Sequence, residues 1–565
     1  MQKQGASMKF LCLIVLAISG SALWGQTIPQ DAYPKCPVDQ KTFDQWFKSG
    51  KPTLNGVVNP ADSVGFSESS VCDFYAWAKQ MFLWMTSESG GARVFDSSDF
   101  YDVSPPDSSH QRKFLPHGKG PVNHLMAPRF AKEGPHGLPV IEDESGQLFE
   151  VVKPPVDDAG KQIVVDSTGN VEEVSKASIT ADHKLALQDR SGKTIELPSS
   201  SGPKSETPPA DSIRTAQEFI VNGAPVFVDS KGNIIDVEQG QAGSGGVLES
   251  QTHGLVYYLT MTNDVYAYFL TGVKNSAIPA TQFPTTTTDL TAIQKYAATH
   301  GKPSFTDAQA LTVEVKSSWI EVTNLTKANY ITTTATIPLY DKSDPKKWTP
   351  IGRKTVTLGL LGFHIVGSVA GHPEMVWATF EHFGDTPNAA NAYINKQQAQ
   401  VSVPQNTAGK WGFSATNSTG PFNVPHMKVD GANIAAASGS TISPSDSLRT
   451  YPWGAAGGNA SANTFLISIH NSIDALMPKG DIRSKYFLVG ATWTTGGNAP
   501  PSGQAGATNT ANSTLETYTQ KPGGCFLCHS SRNPSSLAPD VLSHIFGGET
   551  SGLQPLFPSP ALNSK

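Results

Sequence analysis

Near the end of the 565-residue chain stands Cys525-Phe526-Leu527-Cys528-His529. Two thiols three residues apart, followed at once by an imidazole, match the C-x-x-C-H spacing of covalent c-type haem attachment. In that chemistry the thiols add to the porphyrin vinyl groups and the adjacent histidine supplies the proximal imidazole to iron. C-x-x-C alone also fits a redox dithiol or half of a zinc site. A thioredoxin-like dithiol wants a strand before it and a helix starting at the first Cys, whereas Pro522-Gly523-Gly524 precedes this one. A zinc site wants a second ligand pair, and no further Cys follows. The expected cofactor is therefore one covalent haem c, attached at Cys525 and Cys528 with His529 as proximal iron ligand.

A second axial ligand is harder to place. No Met follows His529, and the only later His is His544, within Asp540-Val541-Leu542-Ser543-His544-Ile545-Phe546. Pro539-Asp540 should open a short helix and Gly547 should cap it. Leu537, Val541 and His544/Ile545 would then share one face. His544 is the candidate distal ligand. Met427, Met477, His364, His382, His426 and His470 of the body compete with it, as does an open five-coordinate iron. Haem also needs apolar walls, and so short a tail makes a poor pocket. The body should therefore form much of the site.

The other cysteines and the N-terminus bear on compartment. Lys3 and Lys9, the apolar run Phe10–Ile18 and the small residues Ser19–Ala22 have the order of a secretory signal peptide. The run is well short of the ~20 residues a membrane span needs. Residues 1–25 are thus expected to be a signal peptide, the protein periplasmic or secreted, and no later segment a membrane span. Cys12 lies inside the apolar run, which leaves Cys36 and Cys72 as an even pair. They could close a disulfide worth roughly 3–4 kcal/mol on the loop-entropy model, or remain two separate buried thiols.

Composition narrows the class. Hydrophobic residues at 38% and aromatics at 9% exclude a wholly disordered chain. A net charge of -6 with only 16% charged residues excludes a generic nucleic-acid binder. The expected fold is α+β: a large mixed, β-rich body with helices and a short helical C-terminal haem-carrying segment. Residues 26–139 read as a helical and loop region. Within them 72–85 is a core helix, with Ser70-x-x-Asp73 as a capping box. Residues 140–245 read as a hairpin-rich insertion, with turns at Asp143–Gly146, Asp158–Gly160, Asp166–Gly169, Asp189–Gly192 and Asp229–Gly232. Residues 246–493 read as a β-rich core with strands at 311–316, 330–337 and 354–364. Within it 400–462 should be mostly loop, with Trp411 and Trp453 packed. Residues 494–512, rich in Gly, Ala, Asn and Thr, read as a linker to a haem-attachment segment at 513–565. The stretch from His364 to His382, with His372, Met375, Trp377 and Glu381, is the best non-haem site candidate, the alternative being ordinary sheet core with surface histidines.

Several blocks resemble an uncharacterised group of exported bacterial proteins with one C-terminal c-type haem motif. They are Val71-Cys72-Asp73-Phe74-Tyr75 with Phe82-Leu83-Trp84, Val313-Glu314-Val315-Lys316 with Trp319, Gly362-Phe363-His364-Ile365, Trp377 to His382, and Ser513 to Tyr518. The resemblance implies a haem protein of the cytochrome c type and names no substrate. It suggests a shared site or core at His364, Trp377, Glu381 and His382. The expected function is electron transfer with a redox partner protein or a small-molecule donor or acceptor. The alternative is a haem-dependent oxidoreductase, using the long body to hold a substrate. A haem-based sensor is the third reading.

Overall fold

The computed structural model describes residues 28–558, apart from 105–110, 117–139, 143–147, 158–160, 181–183, 198–213, 222–223, 230–231, 236–245, 324–325, 431–432, 438–440, 456–457, 521, 531–535, 544 and 548–551. The expected signal peptide and the turns at Asp143–Gly146 and Asp158–Gly160 lie outside the described residues, as do residues 230–231 of the turn at Asp229–Gly232.

Eleven antiparallel strands form the main sheet. In chain order they are β1 (Phe100–Val103), β2 (Phe114–Pro116), β3 (Val256–Asn263), β4 (Val313–Glu321), β5 (Thr332–Asp341), β6 (Lys347–Val369), β7 (His372–His382), β8 (Met427–Asp430), β9 (Asn433–Ala436), β10 (Tyr486–Thr494) and β11 (Gln504–Gly506). Their spatial order is β11-β10-β7-β6-β4-β3-β1-β2, while β5 and the β8–β9 hairpin pair with β6 off this path. With helices packed on both faces, the protein is an α+β, β-rich fold.

Strand alternation gives the sheet two unlike faces. Val313 and Val315 of β4, Ile365 of β6 and Val376, Ala378 and Phe380 of β7 belong to the largest apolar core. Helices α1 (Gln40–Trp46), α2 (Val71–Met85) and, much later in the chain, α5 (Ala460–Leu476) cover this face. Phe82 of α2 stacks on Phe380 with ring centroids 4.4 Å apart. As expected, Ser70 caps α2 and Asp73 completes the capping box. Cys36 and Cys72 form a disulfide that ties the segment before α1 to the first turn of α2.

The opposite face is apolar at one end and polar in the middle. Val366, Met375 and Trp377 pack with α3 (Asp264–Lys274) and α4 (Thr287–Ala298) in a second core. The neighbouring rows present Glu314 and Lys316 of β4, His364 of β6, and Thr379 and Glu381 of β7. Burying such a row needs partners, and the chain after β11 supplies them.

The stretch 494–512 differs from the expected linker. Gln504–Gly506 pairs with β10, and Ala507, Ala511 and Asn512 are buried. Its small residues serve close packing. A Cβ added at Gly490 or Gly454 would stand 2.6 or 2.5 Å from the Cβ of Ala507. Beyond it lie two short helices, α6 (Gly524–His529) and α7 (Pro539–Leu542).

Residues 140–235 make small sheets with two apolar clusters of their own. In the turns at Asp166 and Asp189 the carboxylate accepts two backbone N–H bonds. Gly169 and Gly192 take positive φ there, at 90° and 84°, which explains the recurring Asp-x-x-Gly. Between 400 and 462 the chain is largely irregular apart from the strands Gln400–Val403, β8 and β9, and Trp411 and Trp453 are buried.

Candidate functional site

Helix α6 places Cys525 and Cys528 three residues apart on one turn, with His529 beside them. Its entry depends on two glycines with positive φ, Gly523 at 92° and Gly524 at 53°. A Cβ on Gly524 would lie 2.8 Å from the Thr510 amide nitrogen, so only glycine lets α6 seat this closely. Phe526 is fully buried in the second core, and its ring meets Trp377 edge-on at 6.0 Å. The His529 imidazole lies 4.1 Å from the Trp377 ring. Its Nδ1 is 2.7 Å from the Leu542 carbonyl oxygen. An Nδ1–H donating to that carbonyl leaves the lone pair on Nε2, the tautomer of a metal-binding histidine.

Cys525 is a half-buried free thiol. Burial, with Glu516 nearby, pushes its pKa up to about 12. An activated redox thiol needs the opposite shift, which counts against the dithiol alternative.

Asn512, Ser513 and Glu516 dock the preceding segment on the polar sheet face. Ser513 donates from N and Oγ to Glu381, at 2.7 and 2.6 Å. Asn512 Nδ2 donates to Thr379 Oγ1 and to the Phe380 carbonyl, each at 3.0 Å. His364 Nε2 lies 2.8 Å from Glu516 Oε1. Beneath Ser513, Glu381 forms a fully buried ion pair with Arg449. Burial raises the neighbouring Asp385 carboxyl well above its ordinary pKa, and Glu381 adds to the effect.

After α6 the chain is anchored again. Ser543 Oγ donates to Glu314 Oε2 at 2.6 Å and lies 2.8 Å from the Tyr266 hydroxyl on α3. The expected helix through Phe546 stops at Leu542, because Ser543 turns to an extended conformation to reach Glu314. His544 lies outside the described residues.

The body candidates for a second ligand separate clearly. His364 is the one paired with the segment leading into α6. His382 is a satisfied core residue. Its Nε2 lies 3.1 Å from the Asn329 carbonyl, its Nδ1 accepts from Gly384 N, and burial lowers its pKa to about 4. His470 is buried against Lys79, and Met427 and Met477 belong with the first core. His426 Nδ1 lies 2.7 Å from the Pro444 carbonyl. The dense stretch 364–382 is thus split by alternation and serves both faces. His372, on the α2 side, has its pKa raised because Glu374 and Glu68 outweigh burial.

The chain matches no family model, no curated protein and no solved structure.

Glu314, Tyr266 and Ser543 are the site residues that sequence reasoning did not single out for a role. The available signal was a carboxylate at mid-strand between Val313 and Val315. Among the described residues no cluster of three or more His, Cys, Asp or Glu could hold a bare metal ion, and no helix is long and apolar enough to cross a membrane. A covalent haem asks for something else: two cysteines on one turn, a histidine with Nδ1 engaged, and apolar walls. Cys525, Cys528, His529, Trp377 and Phe526 fit that requirement.

Proposed function

We propose that the protein is an exported c-type cytochrome, with one haem held covalently by Cys525 and Cys528 and His529 as its proximal ligand. The observation that carries this reading is the engagement of His529 Nδ1 by the Leu542 carbonyl, on the same helical turn that presents C-x-x-C. The resemblance to exported proteins with a single C-terminal haem motif supports it. Bound haem would supply one-electron redox chemistry. The chain's own residues orient the imidazole, wall it with Trp377 and Phe526, and hold α6 on the sheet. His544 is the proposed distal ligand. The partner is a redox protein or a small-molecule electron donor or acceptor met outside the cytoplasm.

The test is expression of the full chain with a haem-attachment system, followed by denaturation and mass measurement. One haem mass should remain on the chain and disappear in the double variant C525S/C528S. A chain that carries no haem sinks the reading. In the haem-loaded protein, H544A should alter the reduced spectrum. Carbon monoxide binding to the reduced wild-type protein would move the assignment to a haem-dependent oxidoreductase or a haem-based sensor.

A further inference from the structure

We infer that Glu314 is a positioning residue for His529, acting through Ser543 and the Leu542 carbonyl. This rests on the haem reading above and concerns how the protein sets the strength of its own iron ligand.

His529 comes from α6, but the atom that orients it comes from the end of α7. The Leu542 carbonyl is the last of that short helix, and a helix-end carbonyl has no intrahelical partner of its own. It accepts from His529 Nδ1 at 2.7 Å. The very next residue, Ser543, is fully buried and extended. Its Oγ donates to Glu314 Oε2 at 2.6 Å, so the 2.8 Å contact from Tyr266 is a hydroxyl donating to Ser543. The peptide between Leu542 and Ser543 is thus fixed at one end by the imidazole and at the other by a sheet carboxylate.

Glu314 is well placed to be a fixed point. It lies in β4, which is paired on both sides, opposite Thr262 of β3 and Val366 of β6. It is 3 % exposed. Burial raises its pKa, while Lys316 of its own strand, Ser543 and Arg112 pull in the other direction, and the Tyr266 hydroxyl also faces it. A buried carboxyl in a sheet core is costly unless it is hydrogen-bonded. A valine here would match the apolar neighbour Val366. The carboxyl instead spans from the sheet to the peptide that holds the histidine.

A firm Nδ1–H···O=C bond raises imidazole basicity and fixes its orientation. Stronger donation to iron favours the oxidised state, so loosening the bond should raise the reduction potential. The experiment uses the haem-loaded full chain and reads the midpoint potential together with the electron paramagnetic resonance of the ferric state. S543A should shift the potential upward and change the resonance. E314Q, whose amide oxygen still accepts from Ser543, should stay close to wild type. An S543A protein with attached haem and unchanged potential and resonance would overturn the inference. So would E314Q shifted as far as S543A, since that is the mark of a direct charge effect. A wild-type chain without covalent haem would instead overturn the cofactor assignment, and this inference with it.

Discussion

Lys79 sits in the middle of α2 with 5 % of its surface exposed, its Nζ 3.4 Å from His470 Nδ1. Burial brings its pKa down from 10.5 to about 8, although Asp474 pulls it upward. A base with a lowered folded pKa penalises the fold wherever it is charged. Below pH 8 both states carry the proton and the full cost is present. Between pH 8 and 10.5 the unfolded chain holds more protons than the folded one, so stability rises with pH. The size of the shift corresponds to a cost on the order of 3 kcal/mol at neutral pH. K79M keeps the volume of the stem and removes the charge. Denaturant unfolding at pH 7 should show K79M more stable than wild type, by roughly 1–3 kcal/mol. The advantage should shrink as the pH approaches 10.5. An equal difference at both pH values would show that packing, and not charge, is responsible.

The docked segment 504–518 carries the main lesson among the elements. A Cβ on Gly362 would stand 2.5 Å from Asn512 Oδ1 and 2.7 Å from Thr514 Oγ1. Asn512 cannot easily give way, because Thr379 and the Phe380 carbonyl hold its amide. G362V should therefore lift the segment off β6 at a cost of about 2 kcal/mol. Hydrogen exchange should reveal the change as lost protection confined to 507–520. Unaltered protection there would mean that Asn512 is not the anchor. The strands of the body and the capping box of α2 were legible because alternation and capping are local patterns. The C-x-x-C-H motif was legible for the same reason. This segment was not, because Gly and Ala have the same composition whether they serve flexibility or close approach. Only contacts across the chain decide, such as Ala507 on Gly454 and Gly490. Glu314 was hidden for a related reason, since its partner Ser543 lies 229 residues away.

Across the whole molecule, charge and covalent closure are unevenly distributed. Residues 140–245 hold 18 Asp+Glu against 9 Lys+Arg, more than the chain's entire net charge of -6. The insertion, with apolar clusters of its own, accounts for the acidity, and the remainder is slightly basic. The Cys36–Cys72 disulfide instead serves the main body. Cys36 and Cys72 close 36 residues around α1 and join them to α2. C36A/C72A should lower the stability of the full chain by about 3–4 kcal/mol on the loop-entropy model. Thermal unfolding of wild type with and without reductant should reproduce the difference, and equal melting temperatures would show that the bridge adds nothing.

The polar face of the main sheet has a consequence for how the molecule becomes finished. Glu314, His364, Thr379 and Glu381 are satisfied by Ser543, Glu516, Asn512 and Ser513. Until those residues dock, water must hydrate the Glu314 and Glu381 carboxylates that later lie inside. A chain cut before residue 507 is therefore an unsealed vessel, wet where the native interior is dry. The docking that satisfies these groups also seats Phe526 of α6 in the second core.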